Sequence, residues 1–251
     1  MLYYVTGKRN HVYKEEAMTK DMTAASTGGE ARSIAAARVP LSLYWVFWLF
    51  LIGGFAGDLI EVVFWLVTRG ELISRSSLLY GPFSIVWGAG AVLLTLVFHR
   101  MDDQGTARIF MTGTVLGGAY EYICSWLQEV LFGACFWDYR HLPLNLNGRV
   151  NLVFCMFWGG IAIAWVRLAY PALYGFVRGI PRQTGRRVAA AAAAFLICST
   201  AVSAAALIRM DQRREGVPAL GAVTRFLDEV YPDSRLKARY PNMGILDEIG
   251  W

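Results

Sequence analysis

Apolar residues dominate five runs, at residues 43–68, 79–98, 109–132, 150–170 and 188–208, and most charged residues gather between them. Each run is near the ~20 residues that an α-helix needs to cross hydrocarbon. None alternates with period two, and no barrel closes from five such segments, so all are read as helices. The expected fold class is all-α: a polytopic membrane helix bundle of about five transmembrane helices with a short amphipathic C-terminal helix. Residues 1–40 are expected to be a flexible tail without the apolar core of a secretory signal, with Met18 and Met22 as alternative starts. Residues 41–210 are expected to form the bundle and 211–251 a C-terminal tail. In that tail Leu220, Val223, Phe226, Leu227 and Val230 recur at helical spacing and Pro232 stops the pattern. Its apolar face is expected to pack on the bundle rather than lie on the membrane.

Two runs carry their own qualifications. In the second, Gly81-Pro82 puts Pro82 either in the first helical turn or in a re-entrant piece ahead of it. The fifth is rich in alanine from Ala189 to Ala206 and is expected to pack closely. Gly53 with Gly57, and Gly113 with Gly117, are GxxxG pairs that let helices approach.

Asp58, Glu61, Glu121 and Glu129 interrupt the first and third runs. Two acids cost the first run about 5–7 kcal/mol on insertion scales, and its Leu, Ile, Val and Phe residues return about 5–9. A helix so finely balanced needs protein neighbours to receive its acids. Chain direction puts Asp58, Glu61 and Glu129 in the half of the membrane facing loops 69–78 and 133–149, with Glu121 nearer the midplane. Glu121, Ser125 and Gln128 share one helical stripe and Glu129 lies at its edge. The same end holds Arg75, Arg149, Asp138 and Asn147, with Arg75 and Arg149 the nearest cations for buried carboxylates. A polar site at one end of the bundle is therefore expected, its candidates being Glu121, Glu129, Asp58, Glu61, Arg75, Arg149, Asp138 and Asn147. Glu121 leans toward a substrate or proton path; Asp58, Arg75 and Arg149 lean toward ion pairs that fix the bundle. Trp137, Tyr139 and Tyr80 read as interfacial anchors.

Composition supports the membrane class. Of 251 residues 56% are hydrophobic and 17% charged, against about one-quarter charged in an ordinary soluble domain. The net charge of +5 flanks apolar runs instead of forming an aromatic-interleaved surface, so nucleic acid is not an expected partner. Cys124, Cys135, Cys155 and Cys198 form no CxxC pair and have no close His, so no metal, cofactor or disulfide is expected. Lys20, Arg32 and Arg38, Arg100 and Arg108, and the cluster Arg178, Arg182, Arg186 and Arg187 mark the cytoplasmic side. Arg209, Arg213 and Arg214 oppose that orientation.

The residues Leu72-Ile-Ser-Arg75-Ser-Ser-Leu-Leu-Tyr80-Gly-Pro-Phe-Ser-Ile-Val-Trp87-Gly88 resemble the RxxLLYGPFSIVYG signature of the ABC-transporter type IV family, the CmpB-like permeases. So do Glu121-Tyr122, Glu129, Phe132, Trp137-Asp138-Tyr139, Asn145 to Arg149, and Trp158-Gly159, with Tyr231-Pro232-Asp233 and Tyr240 to Met243 in the tail. Trp87 stands where the family pattern has Tyr. The resemblance covers residues 43–245 and implies a multi-pass bacterial inner-membrane protein, a permease subunit of a transporter and not an enzyme. No GxxxxGK[ST] phosphate loop occurs. The partners implied are membrane lipids and either a separate ATPase subunit, docking around Arg178 to Arg187, or further copies of the chain. Two other classes stay open: an intramembrane or interfacial enzyme on lipid or envelope substrates, using Glu121 or Glu129 with Arg149, and a non-transporting scaffold or regulator acting through its tail.

Overall fold

A computed structural model of the protein describes residues 42–99 and 105–246. The expectations for residues 1–40, with Lys20, Arg32 and Arg38, and for Arg100 lie outside the described residues.

Helix α1 spans Leu43–Arg69, started by the Ser42 hydroxyl, which accepts from the Trp45 amide, and ended by Gly70 in the left-handed region at φ 71°. Helix α2 spans Ile85–Phe98 and α3 Thr106–Phe132. A rod then runs from Leu152 to Gly179 in three parts: α4 (Leu152–Ala164), a π-helical turn (Trp165–Ala169) and α5 (Tyr170–Gly179). The wide turn has a local cause. Pro171 has no amide proton to give Arg167, and the helix absorbs the missing bond in a looser turn. Helix α6, Arg182–Arg214, is followed by α7 (Ala222–Val230) and α8 (Asp233–Arg239). Two-residue strands pair antiparallel in the loops: β2 (Asn145–Leu146) with β3 (Val150–Asn151), and β1 (Ala134–Cys135) with β4 (Gly244–Ile245).

The architecture is an all-α, membrane-type bundle. Among the described residues three helices are long and apolar enough to cross a membrane: Leu43–Arg69, Leu152–Gly179 and Arg182–Arg214. The second run is shorter than its apolar stretch suggested. Pro82 lies outside α2, which begins only at Ile85 behind a Ser84 cap. At 1.5 Å per residue α2 covers roughly 21 Å of a ~30 Å core. The irregular segment before it is partly buried: Leu78 and Phe83 pack with Leu196 in one core cluster, while Tyr80, Gly81 and Pro82 are exposed. Inside it the Ser76 hydroxyl accepts from the Leu78 and Phe83 amides and lies 2.8 Å from the Gly81 carbonyl. Only a narrow seam of α6, including Leu196, Ser199, Ser203 and Ala206, is buried, and Phe195 and Ile197 face outward.

Glycines set the tightest contacts. A Cβ at Gly53 would strike Ala91, and at Gly57 the Trp87 ring; one at Gly113 would strike Ala162, and at Gly117 the Trp158 ring. Each indole lies flat on a neighbouring backbone that only glycine leaves open. The two rings then stack on each other, 5.4 Å between centroids and 30° between planes.

Gly117→Val should therefore destabilise the bundle by about 1–3 kcal/mol, the usual cost of overpacking. Gly160→Ala, where nothing lies within 4 Å, should change little. Thermal unfolding in detergent compares the two, and equal Tm values would refute this account of the packing.

Candidate functional site

Loops 70–84 and 133–151, the C-terminal halves of α1 and α3, and the tail from residue 215 meet at one end of the bundle. Both helices are long, so their acids reach this end from within. Glu61 accepts from the Trp87 indole at 2.6 Å and pairs with Arg75 at 2.7 Å. Glu121 accepts from the Tyr139 hydroxyl at 2.7 Å. Asp58 is buried on the same helix, one turn before Glu61, and its Oδ1 has no partner among the described residues. The same holds for Glu121 Oε2, Ser125 Oγ and Gln128 Oε1 along the α3 stripe. A row of buried acceptors short of donors is costly in a low dielectric.

The other candidates fall outside this cluster. Glu129 forms an ion pair with Arg149, whose guanidinium also lies over the Tyr122 ring. Asp138 pairs with Arg140 at 2.7 Å on the loop surface, and this hydrogen-bonded guanidinium holds its carboxyl below the usual range. Asn147, at φ 52°, donates to the Tyr122 hydroxyl at 3.0 Å.

Several contributors are not evident from the sequence. Tyr139, read there as an interfacial anchor, stacks on Phe154 and turns its hydroxyl inward to Glu121. Burial first, then the neighbouring carboxyl, pushes that hydroxyl above its ordinary value, so it remains a proton donor. Trp87 and Trp158 sit in the WG pairs of the motif, but nothing in their spacing announces that Trp87 donates to Glu61. Among the described residues no group of three or more His, Cys, Asp or Glu is arranged to hold a metal ion.

The tail closes over the end. Arg239 donates to the carbonyls of Leu78, Leu79 and Gly81 and to the Ser74 hydroxyl, and Tyr80 meets Tyr231 hydroxyl to hydroxyl at 2.8 Å. Leu227, Tyr231, Leu236 and Tyr240 form a small core with Ala206, Leu207 and Met210 of α6. Arg209 and Arg213 both pair with Asp228, and Arg213 also with Asp233. Of the arginines that opposed the orientation inferred from charge, Arg209 and Arg213 are thus tail anchors, and Arg214 pairs with Asp211 of its own helix.

The bundle and its long apolar helices define a membrane-type helical protein. Residues 48–204, more than half of the chain, match the family described as "Putative ABC-transporter type IV", and the chain belongs to that family. No curated protein and no solved structure matches it.

Hydrogen bonds from Arg209, then Arg213, hold the Asp228 carboxyl at about 2 against an ordinary 3.8. A depressed carboxylate stabilises the docked tail above its ordinary value, and that contribution disappears as pH falls toward about 2. Pepsin should accordingly cut the tail more readily at pH ~2 than at pH ~4. Asp228→Asn should be cut readily at both; pH-independent cleavage of the wild-type tail would refute the linkage.

Proposed function

We propose that this protein is a permease subunit of a transporter, multi-pass in the bacterial inner membrane, with its working polar site where α1 and α3 meet the two loops. The observation that carries this reading is Glu121: a carboxyl 9% exposed, with one oxygen held by Tyr139 and the other unpartnered. Ionisable groups buried inside a membrane bundle are retained mainly for transport of ions, protons or substrates. Asp58, Glu61 and Arg75 complete the site. The Glu129–Arg149 and Asp138–Arg140 pairs and Asn147 brace its rim. The enzyme reading is weaker because Glu129 and Arg149, its acid/base and its anion holder, are engaged with each other.

The Arg178 to Arg187 end faces the cytoplasm in this reading and offers the docking surface for a separate ATPase subunit. Membrane lipids cover the apolar helix faces.

Glu121→Gln should abolish the substrate-dependent growth phenotype of the host while the protein still inserts and folds. Purification in mild detergent should bring down an ATPase. A normal phenotype for Glu121→Gln together with persistent absence of an ATPase would overturn the proposal.

A further inference from the structure

The two helix hairpins carry one pattern twice. Phe50, Gly53, Gly57 and Glu61 on α1 recur as Phe110, Gly113, Gly117 and Glu121 on α3, at identical spacing. Trp87, Gly88 and Ala91 on α2 recur as Trp158, Gly159 and Ala162 on α4. The contacts repeat as well as the letters. Gly53 meets Ala91 where Gly113 meets Ala162, and Gly57 meets Trp87 where Gly117 meets Trp158. Gly88 abuts the Phe50 carbonyl, and Gly159 the Phe110 carbonyl. Trp87 donates to Glu61 of its own hairpin, and Trp158 packs on Gly117, one turn before Glu121. The equivalent rings touch in the Trp87–Trp158 stack. A residue that contacts its own counterpart marks a local two-fold axis, here running along the bundle between the indoles.

The copies differ in what neutralises the glutamate. In the first, Arg75 supplies a guanidinium to Glu61. In the second, among the described residues, Glu121 receives the neutral hydroxyl of Tyr139 on one oxygen, and its Oε2 is unpartnered. Ser125, 1% exposed, adds an unpartnered Oγ one turn along the same face, and Gln128 an unpartnered carbonyl oxygen two turns along. A carboxylate, a hydroxyl and an amide oxygen form a hard, oxygen-only donor set.

We propose that Glu121, with Ser125 and Gln128, is a binding site for a small monovalent cation, the counterpart across the internal two-fold of the Arg75 guanidinium on Glu61. The cation is an alkali ion or a primary ammonium group, both of which present one positive charge to oxygen donors. The inference deepens the transport reading and rests on it for its biological sense, since a cation bound at the interface of two repeats suits coupling to transport.

The test is thermal unfolding of the purified full-length protein in lipid nanodiscs. Sodium, potassium and methylammonium chloride are each compared with choline chloride at fixed ionic strength. A cation that binds only the folded chain raises Tm with its concentration. Wild type should show a saturable rise with at least one small cation relative to choline. An alkali response identifies the inorganic ion, and a methylammonium response alone identifies an amine. Glu229→Gln, at an exposed acid of α7, should keep the rise and Glu121→Gln should lose it. Should Glu121→Gln fail to fold, Tyr139→Phe decides, because it keeps the carboxylate and removes a competing donor. Its half-effect concentration should fall, and an unchanged value overturns the proposal. So does a wild-type Tm equal in all four salts, or a rise that persists in Glu121→Gln. The measurement needs no turnover, so an intact response beside absent transport would count against the permease reading alone.

Discussion

The whole bundle depends on two indole rings lying flat against glycine backbones. Trp87 rests on Gly57 and Trp158 on Gly117, and neither glycine could carry a Cβ without displacing its ring. That approach does two things at once. It locks α1 to α2 and α3 to α4 in a medium where apolar side chains gain little by leaving lipid for protein. It also aims the Trp87 N–H at Glu61, one turn further along α1. Packing and the satisfaction of buried charge are therefore one problem with one solution. Moving the Trp87 ring would leave a carboxylate short of a donor as well as opening the interface.

Around this centre the irregular segments have a clear physical task. The chain from residue 71 to 84 is not helical, and in a membrane such backbone survives only if its polar groups are met by protein. Ser76 meets several from within, Ser199 and Ser203 on α6 meet the Tyr80 carbonyl and the Leu79 amide, and Arg239 from the tail meets the Leu78, Leu79 and Gly81 carbonyls. The tail is in turn fastened to α6 by Arg209 and Arg213 through Asp228 and Asp233. Loop, last helix and tail thus form a single closure over the end where the acids gather.

Helix class, the apolar runs, the GxxxG pairs and the gathering of acids at one end were legible because each follows from composition, periodicity and chain direction. The start of α2 was not, because a continuous apolar stretch hides the difference between helix and buried irregular chain. Only the Ser84 cap and the Gly81 turn decide it, and these are weaker signals than hydropathy. The role of Tyr139 was hidden for a different reason. A tyrosine in a loop beside the membrane is equally at home at the lipid interface, and only its stacking on Phe154 turns the hydroxyl inward.

The sequence by itself determined that this chain belongs in a membrane, that its helices meet through glycine, and that its acids must be received by protein. Those conclusions rest on transfer energies and helix geometry, which act on each segment separately. Which donor meets which acid was decided by tertiary structure alone. Arg75 turns to Glu61, Arg149 to Glu129, and Tyr139 to Glu121 because loops distant in sequence are folded over the same end. The resulting inequality between Glu61 and Glu121, identical in local sequence pattern yet different in charge partner, is a property of long-range contacts that no local spacing encodes.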